Sequence, residues 1–174
     1  MLNRIKFLSF VFVFLFSALM ATNTASHPLS IMVGTVNEIA ISGPSVNLAL
    51  ASGSAGVDEI SLSSTELVTL SFTTNASSAK KITAAIDNNL PKGITLFVAV
   101  ALDGNGSKTN GDKKGVTATS EGTVALSKTP STIISNVNKA IIRGAPITYT
   151  LKAQASAGSL SSIPLTVTYT ITNA

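Results

Sequence analysis

The chain has 174 residues, no cysteine, no tryptophan, one histidine and a formal charge of +4. Without cysteine or a second histidine, zinc or copper sites built on those ligands are excluded, as are Cys-His and Ser-His-Asp machinery of any ordinary kind. Arg4 and Lys6 contribute to the charge. The remaining ten basic residues stand against eight acidic ones, leaving about +2, with Lys80-Lys81 and Lys113-Lys114 as the only doublets. Neither doublet sits among aromatics, so no nucleic-acid partner is expected.

In chain order, Arg4 and Lys6 precede an apolar run from Phe7 to Met20, interrupted only by Ser9 and Ser17 and followed by the small residues Thr24-Ala25-Ser26. A basic front, a short apolar middle and a small-residue exit predict a signal peptide over 1–26, removed after Ser26. The run is short for a bilayer crossing, and no stop-transfer pattern follows, so no integral membrane segment is expected after cleavage. A lipid anchor on cysteine is excluded by composition. The expected product is exported, to periplasm, cell surface or exterior, and comprises residues 27–174 as a single domain large enough to bury a core without disulfides.

His27 stands at the expected new amino terminus, where fraying suits neither catalysis nor metal binding. Beyond it, Leu29, Ile31 and Val33 form a short alternating series interrupted by Gly34. Ile31 to Ile41 is expected to form the first strand of the domain.

Further strands are expected at Val46–Ala51, Thr65–Thr74, Lys81–Ile86, Thr95–Leu102, Val116–Thr119, Thr123–Ser127 and Thr132–Val137. Ser77–Asp87 is the nearest competitor for a helix, but Ile82, Thr83 and Ile86 favour a strand. Between Thr95 and Leu102 both faces are apolar, which predicts a central strand covered on both sides. The last two segments, Ile147–Gln154 and Leu165–Thr172, alternate aliphatic or aromatic residues with threonine. The connection between them holds Gly158 and Pro164, which suits neighbouring antiparallel strands. Leu67, Leu70, Phe72, Ile82, Ile86, Leu96, Phe97 and Val100 are expected in the core, joined by Tyr149 and Tyr169.

About nine or ten short strands with regular turn signals predict an all-β, immunoglobulin-like antiparallel β-sandwich. Few residues offer chemistry within it. Asp103-Gly104-Asn105-Gly106-Ser107 presents oxygen ligands at alternate positions, and Asp112 adds a carboxylate. Lys108 and Lys114 occupy the positions where a helix-loop-helix calcium site needs glycine and glutamate, so the 103–115 loop reads as a solvated connection or as a surface for a glycan. Asp58, Glu59, Glu66, Asp87 and Glu121 are too scattered to nominate a catalytic pair. Asn75-Ala76-Ser77 and Asn105-Gly106-Ser107 match glycosylation acceptors, a pattern that matters mainly in a eukaryotic secretory route. No catalytic, cofactor-binding or metal-binding residue is assigned.

Lys81-Ile82-Thr83-Ala84, Leu90-Pro91-Lys92-Gly93-Ile94-Thr95-Leu96, Ile147 to Leu151 and Val167 to Thr172 together resemble a group of small exported bacterial β-sandwich proteins, common in Bacteroidota-like genomes and largely uncharacterised. A looser resemblance extends to chaperone-usher-type fimbrial subunits. That resemblance implies a non-enzymatic structural protein of the envelope or exterior, whose partners are further copies or other envelope proteins. It also implies that Leu29, Ile31 and Val33 complete a neighbouring subunit by strand addition. A surface adhesin or glycan-binding module acting through Asp103, Asn105 and Asp112 is the alternative.

Overall fold

The computed structural model describes residues 27–50, 56–102 and 117–174. The expected signal peptide over 1–26 lies outside the described residues, as does the 103–115 loop with Asp103, Asn105 and Asp112. Contacts gather Gly34–Ala174 into one unit, distinct from Met1–Val33. Among the described residues no helix is long and apolar enough to cross a membrane. Among the described residues the only helical turn is a 3-10 turn at Ala155–Ala157.

The fold is all-β, with ten strands among the described residues: β1 (Asn37–Ser42), β2 (Glu59–Ser63), β3 (Val68–Thr74), β4 (Lys80–Ile86), β5 (Ile94–Val100), β6 (Thr117–Ser120), β7 (Thr123–Ala125), β8 (Ser131–Asn138), β9 (Ile141–Gln154) and β10 (Val167–Asn173). They form two antiparallel sheets. The larger has six strands in the order β1-β3-β9-β5-β7, with β2 also paired to β9; the smaller has four in the order β10-β4-β8-β6.

Both sheets turn alternate side chains into one cluster. The larger contributes Leu70, Phe72 and Val98, the smaller Ile82, Ile134 and Val137. Each of these is no more than 2% exposed. Burying one such side chain contributes about 1.5–3 kcal/mol, so alternation supplies the main driving force for closing the sheets.

Strand β9 shows how an unfavourable sequence is accommodated. Gly144 and Pro146 would ordinarily interrupt a strand. Here the β3–β9 register passes from Leu70↔Ala145 to Phe72↔Ile142, so β9 carries one residue more than β3 across that interval. Gly144 takes φ 64° at this bulge, and its N–H donates to Ser71 Oγ at 3.0 Å. Beyond it, Ala145, Ile147 and Tyr149 all face the core. The strand expected from Ile147 therefore begins at Ile141.

Other expectations need correction. Leu67 is 69% exposed, because β3 starts at Val68 and its inward set is Val68, Leu70 and Phe72. Phe97 is only half-buried: β5 buries Leu96, Val98 and Val100 and turns Phe97 to its other, half-covered face. Tyr169 is likewise half-buried. Residues 46–50 form no strand, although Val46, Leu48 and Leu50 retain the alternating burial that suggested one. The strand expected from Ile31 starts at Asn37. Strand β2 escapes the sequence pattern because it is five residues long and opens on Glu59. Finally, β9 and β10 belong to different sheets, so they are not paired neighbours.

Gly43 ends β1 at φ 137°, where a Cβ would stand 2.6 Å from Leu67 O and 2.9 Å from Val68 Cα. Neither backbone atom can yield without moving β3. Gly43→Ala is expected to lower unfolding stability by about 1–3 kcal/mol in chemical denaturation. Gly34→Ala, with nothing within 4 Å of its Cβ, should leave it nearly unchanged.

Candidate functional site

Three features converge on the question of function: a segment before β1, a sheet edge, and a cleft whose described lining is uncharged.

Residues 27–36 carry no strand. Leu29 and Ile31 are 78% exposed and Val33 79%. The chain is first held at Asn75: its Oδ1 accepts from Val36 N–H at 2.7 Å, its Nδ2 donates to Gly34 O at 2.8 Å, and its N–H donates to Val36 O at 3.3 Å. One asparagine thus binds three backbone groups at the entry to β1.

Strand β10 forms one edge of the smaller sheet. Its pairing with β4 runs from Val167↔Ile86 to Asn173↔Lys80 without a register shift. Asp87 N–H donates to Thr166 O at 3.1 Å and Ala174 N–H to Ala79 O at 3.2 Å. Because antiparallel pairs alternate in bonding, the even-numbered residues of β10 bond to β4. The N–H and C=O groups of Val167, Tyr169, Ile171 and Asn173 consequently point away from β4, on a side where no strand pairs with β10 among the described residues, although β1 of the larger sheet packs near β10. Edges are usually guarded by charge, proline or a bulge; Val167–Asn173 has none of these, whereas β1 has Glu38. Asp87 fixes the start of β10: its Oδ1 accepts from Thr166 N–H at 2.9 Å. That bond holds the carboxyl below the usual carboxylate range.

The cleft has a volume of about 900 Å³. Its walls come from the inward residues of β5 (Leu96), β9 (Tyr149, Leu151) and β10 (Val167, Tyr169). Residues 44–50 and 158–165 line it as well, together with Ile41, Val68, Leu90, Ile94 and Ala153. Both segments lie outside the strands, and among the described residues no backbone group of 44–50 or 159–165 bonds another backbone group. Val46, Leu48 and Leu165 instead anchor them by packing on the core. No charged side chain lines the cleft among the described residues.

Tyr149 and Tyr169 meet across the two sheets, with hydroxyl oxygens 2.6 Å apart. Tyr149 is 8% exposed. Burial raises the pKa of both phenols; at Tyr149 the bond to Tyr169 partly offsets this, while at Tyr169 the bond to Tyr149 adds to it. Their alternating patterns placed both rings on inward faces, but nothing local in either strand showed that they would meet. The roofing residues Leu160 and Ile163 carried no sequence signal either.

Other polar chemistry is dispersed. Lys152 pairs with Glu59 at 2.7 Å, with both side chains at least 40% exposed, and its ammonium lies 5.7 Å from the centre of the Phe97 ring. An exposed pair of this kind contributes at most about 1 kcal/mol. Among the described residues no three His, Cys, Asp or Glu side chains gather where they could hold a metal ion.

Compared with known proteins, the chain matches no family model, no curated protein and no solved structure.

Since the chain has only two tyrosines, phenolate absorbance reads this pair alone. The unfolded phenols ionise near pH 10.0, while the folded ones resist. Above that pH the unfolded state binds fewer protons than the native state, so stability falls as pH rises. Phenolate absorbance is expected to lag behind that of free tyrosine and to rise together with unfolding; a simple titration at pH 10 in folded protein would contradict the geometry.

Proposed function

We propose that this chain is a non-enzymatic structural protein of the bacterial envelope or exterior, a fimbria- or filament-like subunit that assembles through β-strand contacts. The observation that carries the reading is the combination of an exposed alternating segment, Leu29 to Val33, with an unguarded seven-residue edge at β10. In strand addition, backbone bonds supply affinity and alternate side chains supply specificity. The outward groups of Val167, Tyr169, Ile171 and Asn173 offer the first, and Leu29, Ile31 and Val33 the second.

An immunoglobulin-like arrangement of the sandwich belongs to the same proposal. Its support is the antiparallel two-sheet layout and the crossing of the chain from β9 in one sheet to β10 in the other. The leader-like opening of the sequence supports export, and the resemblance to small exported sandwich proteins supports a bacterial envelope setting.

The Asn75 bonds to Gly34 and Val36 set the proper limit for a deletion. Removing residues 27–33 spares them, whereas a cut at residue 36 would break β1's anchorage. Light scattering of the purified exported protein should show assemblies that disappear on removing 27–33. They should also be lost in the Thr168→Lys, Thr170→Lys double variant, which charges β10 at its two exposed threonines, with circular dichroism unchanged in both cases. A strictly monomeric parent, or assemblies indifferent to both changes, would refute strand-mediated assembly.

A further inference from the structure

We propose that the cleft between the two sheets binds a neutral, single-chain amphiphile, an aliphatic body with one uncharged polar head, and that the head docks on the Tyr149–Tyr169 hydroxyl pair. Strand-mediated assembly does not require such a site.

Three properties of the cleft select this class of ligand. Its volume of about 900 Å³ lies within the range of small-molecule pockets, about 300–1,000 Å³. Its described lining mixes leucine, isoleucine and valine with Ser45, Asn47, Ser159, Ser161 and Ser162, and holds no charged side chain. A carboxylate or ammonium head would enter without a counter-charge and lose its hydration, so ionic amphiphiles are disfavoured while the aliphatic body is accommodated.

The hydroxyl pair supplies the polar contact. Two phenols bring two protons, and their mutual bond at 2.6 Å uses one. Among the described residues the second proton has no protein acceptor, and both tyrosines line the cleft. The pair therefore offers one donor and spare acceptor capacity on the sheet side of the cleft, opposite the serines and Asn47 of the two covering segments. An alcohol, amide or ester head matches that pattern.

The roof supplies a way in. Residues 44–50 and 159–165 are secured by side-chain packing rather than backbone ladders, so displacing either breaks no sheet pairing. The cleft is also distinct from the strand-addition edge. Val167 and Tyr169 present their side chains to the cleft, whereas their free backbone groups lie in the plane of the sheet.

The test uses N-phenyl-1-naphthylamine fluorescence in the purified protein, with displacement by decanol, decanoate and decyltrimethylammonium. Decanol is expected to displace the probe at a concentration at least about tenfold below either ion. The Tyr149→Phe, Tyr169→Phe double variant should still bind the probe but lose the preference for decanol. Ala153→Trp, which fills the cleft, should abolish probe binding with an unchanged circular-dichroism spectrum. Absence of displaceable probe, equal displacement by the ions, or a decanol preference that survives the double Phe variant would each overturn the proposal. Stronger displacement by a peptide of residues 27–33 than by decanol would assign the cleft to a second copy and overturn it too. Repeating the titration on protein lacking 27–33 separates the two readings, because ligand binding should persist there while assembly is lost.

Discussion

The extra residue at Arg143-Gly144 is the constraint on which the larger sheet depends. Ile142 faces the core; continued in simple alternation, β9 would then turn Gly144, Pro146, Thr148 and Thr150 inward. A one-residue shift exchanges the two faces of a strand. The bulge makes that shift, so Ala145, Ile147 and Tyr149 are buried instead. Ser71 secures it by accepting the Gly144 N–H. Since β3, β2 and β5 all pair with β9, the phase set there determines which side chains reach the interior and where Tyr149 points.

This also explains how much of the fold the sequence made legible. Segments with uninterrupted alternation, such as β10, and those dense in branched aliphatics, such as β4 and β8, could be read directly. The beginning of β9 could not, because Gly144 and Pro146 are breakers until a partner strand supplies the bulge. Residues 46–50 fail in the opposite way. Their pattern is that of a strand, yet a strand exists only when its backbone groups have partners, and Val46 and Leu48 are held by packing alone. Pairing between distant segments carries no local signal, which is why β9 and β10 read as neighbours although they lie in opposite sheets.

The candidate site was legible to a different degree in each part. Leu29, Ile31 and Val33 stand out in the sequence as a short alternating series, and all three are exposed. The unguarded character of β10 was visible as a run without charge or proline, but its position at an edge was not. The cleft was invisible in advance, since its lining is drawn from separated stretches that meet only after both sheets form. Even the two tyrosines, the chain's only phenols, read as ordinary core residues. Their hydroxyls satisfy each other where a lone buried hydroxyl would carry a desolvation cost of about 1–3 kcal/mol.

The cleft has a structural origin in the unequal sheets, six strands against four. Strand β2 extends the larger sheet beside the far half of β9, where Ile60 and Leu62 remain only half-buried. There the interior cannot be closed by another sheet strand, so two irregular segments cover it with side chains while their backbones stay unladdered. Such a closure excludes less water and packs less tightly than sheet on sheet. One polar contact between the sheets occurs at this same end, in the Tyr149–Tyr169 pair; another, from the Ser120 hydroxyl to Val100 O, ties β6 to β5. A directional bond of this kind can hold two layers at a fixed separation where dispersion contacts are sparse. The inequality that leaves space between the sheets thus also leaves room for the tyrosine contact in the interior.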